Sequence, residues 1–186
     1  MSEFPEPDKI IDIELPKVAK KGLYVTGLAL VVLVMLHFLL EKKVYLNLSL
    51  RSVLFFVVGY VVLIILHEFF HLLGFRMFAQ VPWRKMEVGV NFKLGIAYAT
   101  TDELMSNTAI RKALLLPFWL TGIVPALLGL YFGNGTVIVL SALLIGGAVG
   151  DFAMYKELKK LPDDWLIKDD PKLPRLYIYS PDRIGQ

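Results

Sequence analysis

Residues 63–75, LIILHEFFHLLGF, set two histidines and a glutamate inside an otherwise apolar run. On a helix, residues i and i+4 share a face, so His67 and His71 can each offer a ring nitrogen to one metal ion. Glu68 lies on the flank of that face. There it can take a proton from a water at the metal without being a ligand itself. Zinc (Zn2+) is the expected ion, because it suits imidazole donors, three protein groups and one open position. The apolar flanks supply a dry wall that strengthens the metal's effect on its water. So short a pattern also arises by chance. An acid at the centre of a helix in hydrocarbon, however, costs about 2.5–3.5 kcal/mol, and such residues at metal-site spacing favour the metal reading.

A third ligand is required, and acids within apolar runs are scarce. Asp151 follows GGAVG near the end of the last apolar run. His67 and His71 lie 15 and 19 residues after position 52, where their run begins, and Asp151 lies 15 after position 136. With both helices running the same way at 1.5 Å per residue, the two sites fall at one depth. Gly146 and Gly150 form a GxxxG pair that permits close helix approach, which would bring Asp151 towards the neighbouring helix's metal. Glu157, Asp102 and Glu103 are the alternatives. His37 reads as a packed or interface residue, Trp83 and Trp119 as interface anchors or packing residues. Pro117 and Pro125 are expected to kink their helix, with a path to the metal as a further role.

Four segments are long enough to position these residues across a bilayer, which takes about 17–25 residues of helix. They are 22–40, 52–75, 113–132 and 136–155, the last two joined by the turn Gly133-Asn134-Gly135. Hydrophobic residues make up 56% of the 186 residues and the mean hydropathy is +0.59, above what a soluble globular chain usually carries, which points to a membrane protein. There are no cysteines, so thiolate metal sites and cysteine nucleophiles are excluded. The mixed, proline-bearing segment 1–21 does not read as a cleaved signal peptide.

The net charge of +3 matters less than its placement. Lysine and arginine favour the cytoplasmic side. They crowd the N-terminal arm, the loop 81–112 and the tail, whereas the opposite side has Lys42, Lys43 and Arg51. Both termini are therefore expected in the cytoplasm and the chain in the plasma membrane, with the lipid bilayer as surroundings and no nucleic-acid partner. The organisation is an arm over 1–21, a four-span domain over 22–155 whose core is 52–155, and a tail over 156–186. The tail, with four prolines and mixed charge, is expected to be extended or loosely packed.

Within the loop, even positions from 86 to 98 are apolar and odd ones small or polar, the period of a half-buried strand. One strand that long is unusual. A hairpin turning near residues 91–93, with the same parity on both strands, would set its apolar side against membrane or helices. Thr100 and Glu103 would then form a capping box for the next helix. The fold class expected is an all-α membrane protein, a four-transmembrane-helix bundle with a small cytoplasm-side β-hairpin.

With these residues in view, the chain resembles membrane-embedded zinc metalloproteases of the site-2 protease type. It is most similar to the bacterial "putative zincin peptidase" families of small four-span proteins. The resemblance covers residues 52–155: a span bearing HEFFH, a β-rich loop, a middle span, and a span with an acid near its cytoplasmic end. It implies a three-helix core with zinc on His67, His71 and Asp151, and Glu68 as the catalytic acid/base. The implied partner is a membrane-protein or peptide substrate. The context GGAVGDF departs from the LDG setting usual for the site-2 protease aspartate, and no PDZ-like domain is present. Two other classes compete: a zinc-binding membrane scaffold that does no chemistry, and a carrier with an ion path. A carrier usually shows internal repeats or broken helices in matched halves, and the sequence has neither.

Overall fold

The computed structural model describes residues 4–42, 49–171 and 173–184. Lys43 and Lys172, which enter the charge balance, lie outside them. The chain is mostly helical. Helices α1 (Leu15–Glu41) and α2 (Leu50–Phe78) are followed by α3 (Asn107–Pro117), a π-helical turn (Phe118–Ile123) and α4 (Val124–Tyr131). Then come α5 (Gly135–Gly147) and α6 (Val149–Leu158), with a short α7 (Pro181–Ile184) at the end. Taking α3–α4 and α5–α6 as continuous runs, four helices among the described residues are long and apolar enough to cross a membrane. Among the described residues the strands are β1 (Lys9–Asp12), β2 (Met86–Asn91), β3 (Ile96–Thr101), β4 (Met105–Ser106), β5 (Leu166–Asp169) and β6 (Arg175–Tyr179).

The chain divides into two compact units. The helical unit takes residues 16–67 and 117–150. Its core is Leu33 of α1 against Ala126, Ile138 and Ala142 of α4 and α5. The α4–α5 connection turns on Gly133, whose φ of +62° suits glycine. The Asn134 side chain then accepts the Val137 N–H and caps α5. Gly146 makes its closest approach to α1: a Cβ there would run into the Thr26 hydroxyl and lie 2.8 Å from the Gly22 carbonyl. Gly150 has only Val18 near, at 3.8 Å. The tightest approach at the expected GxxxG pair is thus to the first helix. His37 is buried in this unit, as expected of a packed residue. Along α1 and α2, Leu28, Val31, Met35, Leu54, Phe55 and Val61 stay exposed, apolar surface of the kind that marks a membrane or partner contact.

The sheet unit takes the residues up to 15, 68–116, and those from 151 on. The described part of the tail is extended over β5 and β6 but not loosely packed. Strands β5 and β6 form a four-stranded antiparallel sheet with the N-terminal strand, in the order β1-β6-β5-β4. Buried Leu176 and Ile178 alternate with half-exposed Arg175 and Tyr177, and Pro162, Pro171, Pro174 and Pro181 all fall outside the strands, where proline does not interrupt a ladder. Asp12 pairs with Arg175 and Asp8 with Arg183 at 2.8 Å, tying the N-terminal arm to the tail. Ile11, Met105, Ile110, Leu158, Ile167 and Ile178 close the core beneath. The fully buried Asn107 side chain donates to the carbonyls of Leu158, Leu161 and Pro162 at 2.8–3.1 Å. It thereby caps the C-terminal end of α6 from the start of α3.

The expected hairpin is present as β2-β3, but its parity is reversed. Val88 pairs with Ala99 and Val90 with Ala97, so the even residues of β3 face away from those of β2. The cause is the turn. Four residues, 92–95, separate the paired Asn91 and Ile96, with Gly95 at φ +66°. An even loop between directly paired residues exchanges parity. The other face is closed by Tyr98, whose hydroxyl would lie 2.5 Å from a Cβ on Gly89. The Thr100–Glu103 capping box does not form either. Thr100 is in β3, the Thr101 hydroxyl accepts the Glu103 N–H at 3.2 Å, and the next helix is capped by Ser106, which accepts the Ala109 N–H at 3.3 Å.

Candidate metal centre

Each histidine of HEFFH is held by its Nδ1. His71 Nδ1 lies 3.3 Å from the Ala113 carbonyl, which can only accept, so the ring donates from Nδ1. His67 Nδ1 lies 3.2 Å from Thr121 Oγ1. That hydroxyl already donates to the Pro117 carbonyl at 2.8 Å, so it accepts from His67. Both rings therefore use Nδ1–H structurally and present Nε2 for ligation, the orientation that metal-binding histidines take from outer partners. Both are buried.

Close packing in the sheet unit makes the His71 contact possible. A Cβ on Gly74, one turn beyond His71, would stand 2.7 Å from Ala113 Cα and 2.8 Å from Ala113 Cβ. Gly74→Ala should push α2 off α3, costing about 1–3 kcal/mol as an overpacked core does, and stretch the His71–Ala113 hydrogen bond. Thermal unfolding beside a metal titration checks this; an unchanged melting temperature and unchanged affinity would contradict it.

Asp151 sits in the first turn of α6, with Oδ1 3.3 Å from His71 Nε2. The ligand atoms of His67, His71 and Asp151 all lie within 4.8 Å of one another. Zinc held at 2.0–2.2 Å by nitrogen and oxygen puts tetrahedral ligand atoms roughly 3.4 Å apart, close to the 3.3 Å of the His71–Asp151 pair. The donor set and the His71–Asp151 separation fit zinc. Glu68, partly buried, acts electrostatically on His71 and is not in the ligand group. The alternatives are engaged elsewhere or exposed: Glu157 with Lys160 at 2.5 Å, Glu103 with Lys85 at 3.3 Å, and Asp102 on the surface. His37 is outside the group as well. Trp83 stacks on Phe69 with centroids 6.2 Å apart.

Sequence reasoning missed Asp169, on β5 in the tail. Burial pushes its carboxyl up to about 7, while the Thr100 hydroxyl, the Asp170 backbone and His71 pull the other way. A carboxyl raised in the folded state above its ordinary value of 3.8 takes up a proton on folding between those two pH values. Its contribution to stability is therefore complete at low pH and lost as pH rises to about 7. Asp169→Asn in metal-free protein should leave stability unchanged below pH 4 and raise it by up to about 4 kcal/mol at pH 8. Parallel melting curves at the two pH values that coincide with wild type would contradict this.

A helix carrying HEFFH, with two oriented imidazoles meeting a carboxylate from another helix, is an arrangement of the zincin class. Residues 60–166, more than half of the chain, match the family described as "putative zincin peptidase", and the chain belongs to that family. None of the curated proteins and none of the solved structures compared matches it. The matched stretch takes in His67, Glu68, His71 and Asp151, and leaves out β1, β6 and Asp169.

Proposed function

We propose that the protein is a zinc-dependent endopeptidase of the site-2 protease kind, which cleaves a membrane-protein or peptide substrate within or beside the bilayer. The observation that carries this is the convergence of His67, His71 and Asp151, with Glu68 beside them, on helices long and apolar enough to span a membrane. The basic loop and tail support cytoplasmic termini in a plasma membrane.

Bound zinc would lower the pKa of a water and polarise the scissile carbonyl. The protein's own part is more specific. His67, His71 and Asp151 would hold the ion, with both rings fixed by Nδ1. The Glu68 carboxylate takes the proton of the attacking water and delivers it to the leaving amine nitrogen as the C–N bond breaks. The apolar helix walls exclude competing solvent. A transmembrane substrate must unwind before its carbonyls are accessible. Among the described residues β2 has no strand on its outer side, and an unwound segment can be added there as a strand.

The test is cleavage of single-span peptides in proteoliposomes, read by mass spectrometry. The expected result is cut products that vanish with a zinc chelator and return with added zinc. Proline on an outward-facing N–H of β2 should slow cleavage and leave zinc bound. Absence of cleavage across a varied peptide set, with zinc bound, would overturn the peptidase reading. Unchanged cleavage in the proline variant would remove only the strand-addition role.

A further inference from the structure

We infer that Pro117 is the positioning residue of the metal centre, orienting both imidazoles from one point. This rests on the metal-centre reading above and adds a cause for its geometry. In a regular helix the N–H of residue 117 would bond to the carbonyl of residue 113. Pro117 lies inside α3 and has no N–H to give. The Ala113 carbonyl is thereby left for a side chain, and His71 Nδ1–H takes it at 3.3 Å. The other end of the same residue serves His67. The Pro117 carbonyl accepts the Thr121 hydroxyl at 2.8 Å, which commits the hydroxyl's only proton and turns its oxygen lone pairs towards His67 Nδ1 at 3.2 Å. The π-helical turn that begins at Phe118 is where Thr121 sits, fully buried. Such turns recur at functional sites. The missing donor and the present acceptor of one proline thus fix the ring orientation of both histidines.

A purely structural proline predicts the opposite mutational result. Proline inside a helix is unfavourable by about 3 kcal/mol relative to alanine, so Pro117→Ala should leave α3 at least as stable. Under the proposal it supplies an N–H that competes with His71 for Ala113.

The experiment is a cobalt titration, followed by absorption, of the purified full chain in detergent, with zinc competition for absolute affinity. Wild type, P117A, T121V and T121S are compared, and helix content is followed by circular dichroism. P117A and T121V are each expected to weaken binding by about 10–100-fold, the usual loss when an outer partner of a metal-binding histidine is removed. Helix content should be unchanged, and T121S, which retains the hydroxyl, should stay close to wild type. If wild type binds metal and both P117A and T121V match it, the positioning role is overturned while the metal centre stands. If T121S loses as much affinity as T121V, the hydroxyl is not what orients His67, and the proposal is overturned as stated. If wild type binds no metal, the metal-centre reading fails and takes this inference with it.

Discussion

Glu68→Gln is expected to reduce peptide hydrolysis by about 10²–10⁴-fold, the range for a lost general acid/base, with zinc still bound at one equivalent per chain. Glutamine keeps the size of the side chain and both of its polar atoms, so the partly buried position is not vacated. It lacks only the capacity to accept and return a proton. Because Glu68 is not among the ligating group, metal content should not follow activity. Zinc analysis and single-turnover cleavage on the same preparation separate the two. Loss of zinc in this variant would mean that Glu68 is a ligand. Retained zinc with full biological activity would favour a scaffold that binds metal and does no chemistry.

Asp151→Ala should have the second large effect, on metal content instead of on the chemical step. Its carboxylate stands 3.3 Å from His71 Nε2, so its removal leaves two imidazoles to hold the ion, fewer than the three protein ligands of a catalytic zinc site. The loss should exceed the 10–100-fold typical of an outer partner, enough that zinc does not survive purification. Inductively coupled plasma analysis of the variant beside His71→Ala reads this directly. Full zinc in Asp151→Ala would remove it as the third ligand and redirect attention to Glu157, Asp102 or Glu103, although these lie in ion pairs or on the surface.

The grouping of His67, His71 and Asp151 was legible in the sequence because it depends on short, regular spacing. His67 and His71 stand four positions apart on one helix, and helical rise is uniform enough that counting along two runs singled out Asp151, which lies in the same group. The four apolar helices were legible for the same reason, by length and composition. What the sequence hid depends on partners far away in the chain or on exact loop counts. Strand β6 is stabilised by β1, with Asp12 and Arg175 paired across 163 positions, and neither short strand carries enough periodicity to announce itself. The hairpin's facing was hidden because it hangs on whether the turn holds an odd or even number of residues. Ser106 took the capping role from Thr100 because β3 claims Thr100 for its ladder. Pro117 invited the idea of a kink, since a sequence shows the missing N–H but not which side chain answers the carbonyl it leaves.

The most direct test of the metal centre is zinc K-edge X-ray absorption on the purified wild-type chain. The expected spectrum shows two imidazoles and oxygen donors at about 2.0–2.2 Å, and the zinc edge is lost in His67→Ala and in His71→Ala, each left with two of the three ligands. A wild-type sample that contains no zinc, or zinc whose shell holds fewer than two imidazoles, would contradict the account at its centre.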